Sequence, residues 1–190
     1  MRPRLVVMLK EPHPGRVKTR LGRDIGMVAA AWWFRHQALS LLSRIEDPGW
    51  ETVLAVAPDC AGLESRIWPR HLPRWPQGPG NLGDRMGRLL RHMPPGPVCI
   101  IGADIPGIRR KHIAAAFHGL GAHDFMFGPA PDGGYWLVGA KRVSAVPKGL
   151  FAGVRWSSEH ALSDTIASTG SARIGFVAQL RDVDRAADLE

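Results

Sequence analysis

Short apolar runs at residues 4–9, 52–57 and 98–101 are each bounded by Pro, Gly or charged residues, the pattern of strands buried on both faces. Between the first two, apolar positions recur at helical spacing from Asp24 to Ile45 (Ile25, Val28, Ala29, Trp32, Trp33, Leu39, Leu42), with Asp24 the predicted N-cap and Asp47-Pro48-Gly49 the stop. Residues 69–80 are rich in Pro and Gly and read as loop. A helix is predicted over 82–92, ended by Pro94-Pro95-Gly96, and another over 111–120. Two strands, 125–127 and 135–138, flank Asp132-Gly133-Gly134; a helix over 160–169, a strand over 173–178 and a polar tail from 180 to 190 follow. Strand and helix signals alternate, which predicts a three-layer α/β sheet. Ligands of such sheets sit beyond the carboxyl ends of the strands.

Composition narrows the class. The chain has 190 residues, 45% hydrophobic and 22% charged, which predicts one domain spanning 1–190. No window approaches the roughly 18 uninterrupted apolar residues of a membrane span, and the first apolar run is too short for a signal peptide. A cytoplasmic location is therefore expected. Cys60 and Cys99 stand alone, without metal-ligand or disulfide spacing. The formal net charge is +8 and the pI about 10.5. Arginine supplies 20 of the 25 cationic residues, and they are scattered, Arg109-Arg110-Lys111 being the longest run. No nucleic-acid module accompanies them, so the expected partners are phosphorylated small molecules rather than nucleic acid.

The loops after the strands carry the candidate chemistry. Pro14-Gly15-Arg16-Val17-Lys18-Thr19-Arg20 alternates three cations beside a glycine; it reads as a phosphate-binding loop or as a solvated basic turn. It is no Walker A motif, and as a loop residue Lys18 is expected at the surface. Asp104, in Gly102-Ala103-Asp104-Ile105-Pro106, is placed either to hold a hard cation or to cap the following turn or helix. Asp132-Gly133-Gly134 is a favoured hairpin turn, and also a backbone that a ligand can approach closely. Asp182 and Asp184 share one face of an extended segment, unless they merely solvate the tail. There is no nucleophile elbow and no ligand-spaced histidine pair.

Six segments together resemble one family. They are Lys10-Glu-Pro-His-Pro-Gly-Arg-Val-Lys-Thr-Arg-Leu21, Gln77-Gly-Pro-Gly-Asn-Leu-Gly-Asp-Arg-Met86, Gly102-Ala-Asp-Ile-Pro106 and Gly128-Pro-Ala-Pro-Asp-Gly-Gly-Tyr-Trp-Leu137. Phe151 with Trp156-Ser157-Ser158, and Asp182-Val-Asp184 with Asp188-Leu189, complete the set. In this order they are similar to the bacterial DUF2064 family, also called radical-SAM/selenodomain-associated transferase 1, within the GT-A, nucleotide-diphosphosugar-transferase-like superfamily. More distantly the chain resembles phospholactate and molybdenum-cofactor guanylyltransferases. The resemblance implies a Rossmann-like α/β/α fold, its sheet mainly parallel with one antiparallel strand. It implies a Mg²⁺- or Mn²⁺-dependent, glycosyltransferase-like enzyme that takes a nucleotide-sugar or nucleoside triphosphate and a small-molecule acceptor. Nucleotidyl transfer, and nucleotide binding without turnover, are the alternatives. By position, Lys18 and Asp104 would be catalytic. Gly15, Arg16, Lys18, Arg20, Gln77, Gly78, Asn81, Leu82, Gly83 and Arg85 would bind nucleotide. Asp132, Gly133, Gly134 and Tyr135 would bind the acceptor, while Asp104, Asp182 and Asp184 would hold the metal.

Overall fold

The computed structural model describes residues 1–189. Glu190, the end of the predicted polar tail, lies outside the described residues. The chain runs β1 (Arg4–Lys10), α1 (Thr19–Ile25), α2 (Met27–Ile45), β2 (Glu51–Ala57), α3 (Asp59–Glu64), β3 (Arg74–Pro76) and α4 (Leu82–His92). It continues through β4 (Val98–Gly102), α5 (Arg110–Gly119), β5 (Phe125–Pro129), β6 (Tyr135–Ala140), α6 (Ala161–Ser168) and β7 (Ile174–Phe176), and ends in a 3-10 turn at Ala186–Leu189.

The seven strands form one sheet in the order β3-β2-β1-β4-β6-β5-β7. β1 pairs in parallel with both β2 and β4, and β7 in parallel with β5. β6 is antiparallel to both of its neighbours, so it is the one reversed strand. The continuous apolar runs follow from this placement, because the central strands bury both faces. Leu5, Val7 and Ile101 meet Phe34, Leu41 and Leu42 of α2 and Ile113 of α5. Val6, Ile100 and Val138 meet Met86, Leu89 and Leu90 of α4, with Phe151 beyond them.

Three elements depart from the sequence reading. The helix expected to start at Asp24 is two helices broken at Gly26, whose φ of 92° ends α1 and N-caps α2. Asp24 instead lies inside α1 and accepts a hydrogen bond from the Ala186 amide at 3.1 Å. The loop expected over 69–80 contains β3, which pairs with β2, and α3 was masked by its Cys-Ala-Gly composition. No helix of the described residues is long and apolar enough to cross a membrane.

Candidate active site

β1 and β4 end side by side in the middle of the sheet, and β6, running the other way, begins beside them. A cleft of about 780 Å³ opens over these ends. The first loop is pinned into it by the buried Val17 and Leu21 and by Glu11, whose buried carboxylate accepts from Trp68 Nε1 at 2.8 Å. Lys18 starts α1 in the left-handed region, at φ 45°, with no side-chain cap. Its side chain turns inward: it is 8% exposed, and Nζ stands 2.5 Å from Asp104 Oδ2. The surface lysine expected from the sequence is thus a buried ion-pair partner. Arg16 and Arg20 flank it on the rim with exposed side chains. Arg20 pairs with Asp184 at 2.6 Å, which raises its pKa, whereas Arg16 has no carboxylate partner among the described residues.

Asp104 follows β4 in a turn whose neighbours Ala103 and Ile105 are buried. It caps no helix: α5 begins at Arg110 and is capped locally by Arg109 and His112. The tail reaches it from β7. The Val183 amide donates to Asp104 O at 3.2 Å, and the Val183 side chain is buried with Leu21 and Ala30. By the two-residue alternation of an extended chain, Asp182 and Asp184 then face the cleft, and both line it. Burial, and then the negative charge of Asp104, push the Asp182 carboxyl above its usual range, while Lys18 pulls the other way.

One half-buried carboxylate, Asp104, therefore pairs with the ammonium, and a second, Asp182, feels the charge of both. Hard oxygen donors of this kind suit Mg²⁺ or Mn²⁺ when phosphate and water supply the other ligands. Asp184 is held by Arg20 instead, and no three His, Cys, Asp or Glu side chains among the described residues are grouped to hold a metal ion by themselves. Asp104 and Asp182 are the cleft carboxylates not paired with Arg20.

The Gln77–Arg85 segment forms another wall. Gln77 is buried, and its amide nitrogen donates to Leu9 O at 2.9 Å and Ala55 O at 2.8 Å, tying β1 to β2. Asn81 N-caps α4 in a reciprocal box with Asp84, and Arg85 Nε donates to Gly80 O at 3.0 Å. Gln77, Asn81, Leu82 and Arg85 line the cleft, whereas Gly15, Gly78, Gly83 and Gly133 do not. Gly83 lies directly beneath Phe151 and Trp156, where a Cβ would stand 2.8 Å from each side chain.

On the far side, Asp132 Oδ1 accepts from the Gly134 amide at 2.9 Å and shapes the β5–β6 turn. Asp132, Gly134 and Tyr135 line the cleft. Burial keeps the Tyr135 hydroxyl protonated by raising its pKa, and the hydroxyl lies 3.3 Å from Thr165 Oγ1. Trp156, Ser157 and Ser158 line the same side. The sequence reading quoted these three without giving them a role, and only the packing of their loop on α4 reveals their place.

A sequence model of the family described as "Uncharacterized protein conserved in bacteria (DUF2064)" matches residues 41–158. That span holds Gln77, Asp104 and Asp132, while Lys18 and the tail aspartates fall outside it. Among solved structures, a candidate nucleotide-diphospho-sugar transferase from Desulfovibrio desulfuricans G20 is 26% identical, with a TM-score of 0.85 over 99% of this chain and 84% of that one. Rv0371c from Mycobacterium tuberculosis H37Rv, solved in complex with manganese, shares the fold at 14% identity and TM-score 0.58, over 100% of this chain and 96% of that one. A CMP:2-keto-3-deoxy-manno-octonic acid synthetase complexed with CTP shares it at 11% identity and TM-score 0.59, over 100% and 95%. No curated protein matches the chain.

Proposed function

The chain belongs to the DUF2064 family, and from that membership we propose that it is a nucleotide-dependent transferase, a glycosyltransferase-like enzyme that takes a nucleotide-sugar and a divalent cation. One observation carries the reading: buried Lys18 stands against Asp104, beside half-buried Asp182, where β1 and β4 end. An ammonium fixed inside a cleft is costly unless carboxylate or phosphate compensates it. In the proposed complex Lys18 and Arg16 contact the phosphates, with Arg20 at the rim. Asp104 and Asp182 would hold Mg²⁺ or Mn²⁺, and Asp184 keeps Arg20 in place. When bound, the cation offsets the negative charge that builds on the departing phosphate. The acceptor hydroxyl oxygen attacks the anomeric carbon and gives up its proton to solvent, the bond from that carbon to phosphate oxygen breaks, and nucleoside diphosphate leaves. Lys18 and Arg16 stabilise the charge on that leaving group.

A second reading is favoured by the density of cations on one loop. Arg16, Lys18 and Arg20 would equally suit a departing pyrophosphate, as in nucleotidyl transfer from a nucleoside triphosphate. The 26% identical neighbour is described as a candidate nucleotide-diphospho-sugar transferase, which puts the sugar donor first.

Incubation of the protein with Mn²⁺ and a panel of nucleotide-sugars and nucleoside triphosphates tests this. Slow release of nucleoside diphosphate from one sugar donor is expected. Pyrophosphate release would replace the first reading with the second, and tight binding without any turnover would make the protein a nucleotide-binding module.

A further inference from the structure

The cleft is electrically lopsided. Its cations, Lys10, Arg16, Lys18, Arg20 and Arg85, come from the end of β1, the loop after it, the start of α1, and α4. The wall from the start of β6 and the loop before α6 contributes Asp132, Tyr135, Trp156, Ser157 and Ser158, and no Lys or Arg. Arg155, the cation nearest in sequence, is turned onto α6 by a two-pronged pair with Asp164 at 2.9 Å. This wall is also rigidly built. Trp156 leans on Phe151 and Tyr135, with ring centroids 6.1 and 6.4 Å apart, and sits on Gly83. Gly133 is pressed against the backbone of Glu159, so the β5–β6 turn and the Trp156 loop form one surface. Ser157 holds a left-handed backbone, at φ 59°, with its side chain exposed at the cleft. Such conformations persist where the surroundings over-determine them and concentrate at ligand sites.

We infer that the transfer acceptor is an uncharged, polyhydroxylated small molecule whose apolar face rests on Trp156 and Tyr135, with Asp132 and Ser157 receiving its hydroxyls. The inference rests on the transferase reading and names the acceptor of that same site. Aromatic rings supply apolar contact area for the carbon face of a polyol, and a few convergent polar groups fix its orientation. Asp132 has one carboxylate oxygen committed to the Gly134 amide and the other free to accept. A phosphorylated or carboxylate acceptor would meet Asp132 with no cation on this wall to compensate, and Arg20, the cleft cation within reach of Asp132, is already paired with Asp184.

Isothermal titration into protein preloaded with Mn²⁺ and a nucleoside diphosphate tests the assignment. The probes are neutral polyols and pyranoses, each matched with its phosphate ester. Neutral members should bind, and their phosphate esters should bind roughly tenfold more weakly or worse. Trp156→Ala should abolish that binding while leaving nucleoside diphosphate and Mn²⁺ affinity within about twofold. Because Trp156→Ala also unloads Gly83, a second variant is needed: Asp132→Lys, in an exposed turn, should invert the preference toward the phosphate esters. Tighter binding of the esters to the wild type overturns the inference. So does failure of every probe while Mn²⁺ and nucleotide still bind. Absence of nucleotide and Mn²⁺ binding would instead bring down the transferase reading and this inference with it.

Discussion

Asp182 shows how a single residue carries the logic of the cleft. Burial and the charge of Asp104 hold its carboxyl above the usual range. A carboxyl raised in this way adds stability below the ordinary aspartate value, and that stability is lost as pH rises through the raised value. The metal-free protein is therefore penalised at neutral pH for keeping Asp182 ionised. Asp182→Asn removes the penalty, so in the presence of a chelator it should melt higher than wild type at pH 7. The gap should close as the pH falls below about 3.9, where both carboxyl states converge. Melting curves across that range check the sign; a gap independent of pH would contradict it. The sequence placed Asp182 and Asp184 on one face by spacing alone. It could not show that Arg20 claims Asp184 and leaves Asp182 beside Asp104, because the first contact joins residues 164 positions apart and the second brings the tail to a strand end in mid-chain. Lys18 was misjudged for the same reason, since its partner Asp104 lies on a strand end far along the chain.

Among the elements, legibility followed length and local chemistry. α4 matches the predicted 82–92, with Pro94-Pro95-Gly96 marking its end in the sequence; the Asn81–Asp84 box that starts it is a finding of the structure. β3 was not legible, because three residues with a proline become a strand only by pairing with β2. The break between α1 and α2 was hidden by a helical apolar pattern that continues across Gly26. Asn81 also stands at the cleft, so its two roles must be separated. Its side-chain oxygen accepts from the Asp84 amide at 3.0 Å, and the Asp84 carboxylate accepts from the Asn81 amide at 2.9 Å. Asn81→Ala should cost about 1 kcal/mol of stability in urea without ligand, and Asn81→Asp almost nothing, since Asn and Asp cap equally well. Equal losses in both variants would show that the cap is not what Asn81 contributes.

At the scale of the whole molecule, the strand order explains why the site is where it is. Parallel β1 and β4 bring the loop after β1 and Asp104 together, and reversed β6 starts at that same edge, so its turn faces theirs. Alternating strand and helix signals give the layers, and the family resemblance implies one antiparallel strand, but that this strand is β6 comes only from the structure. Nothing in a six-residue apolar run states its direction. The sequence reads the tail as polar, with Asp182 and Asp184 on one face or simply solvated; in the structure buried Val183 docks it against α1 and Asp104 and brings both carboxylates to the cleft. Of the 25 cationic residues five line the cleft, four of them between the end of β1 and the start of α1 and the fifth, Arg85, on α4.

The central claim is that Asp104 and Asp182 share a divalent cation while Lys18 turns from Asp104 to phosphate. The most direct measurement is the anomalous signal of manganese in a crystal of the protein grown with Mn²⁺ and a nucleoside diphosphate. The account predicts one peak about 2.2 Å from a carboxylate oxygen of each aspartate, bridging to phosphate, with Lys18 Nζ no longer on Asp104. Nucleotide bound with the Lys18–Asp104 pair intact, and manganese elsewhere or absent, would contradict it.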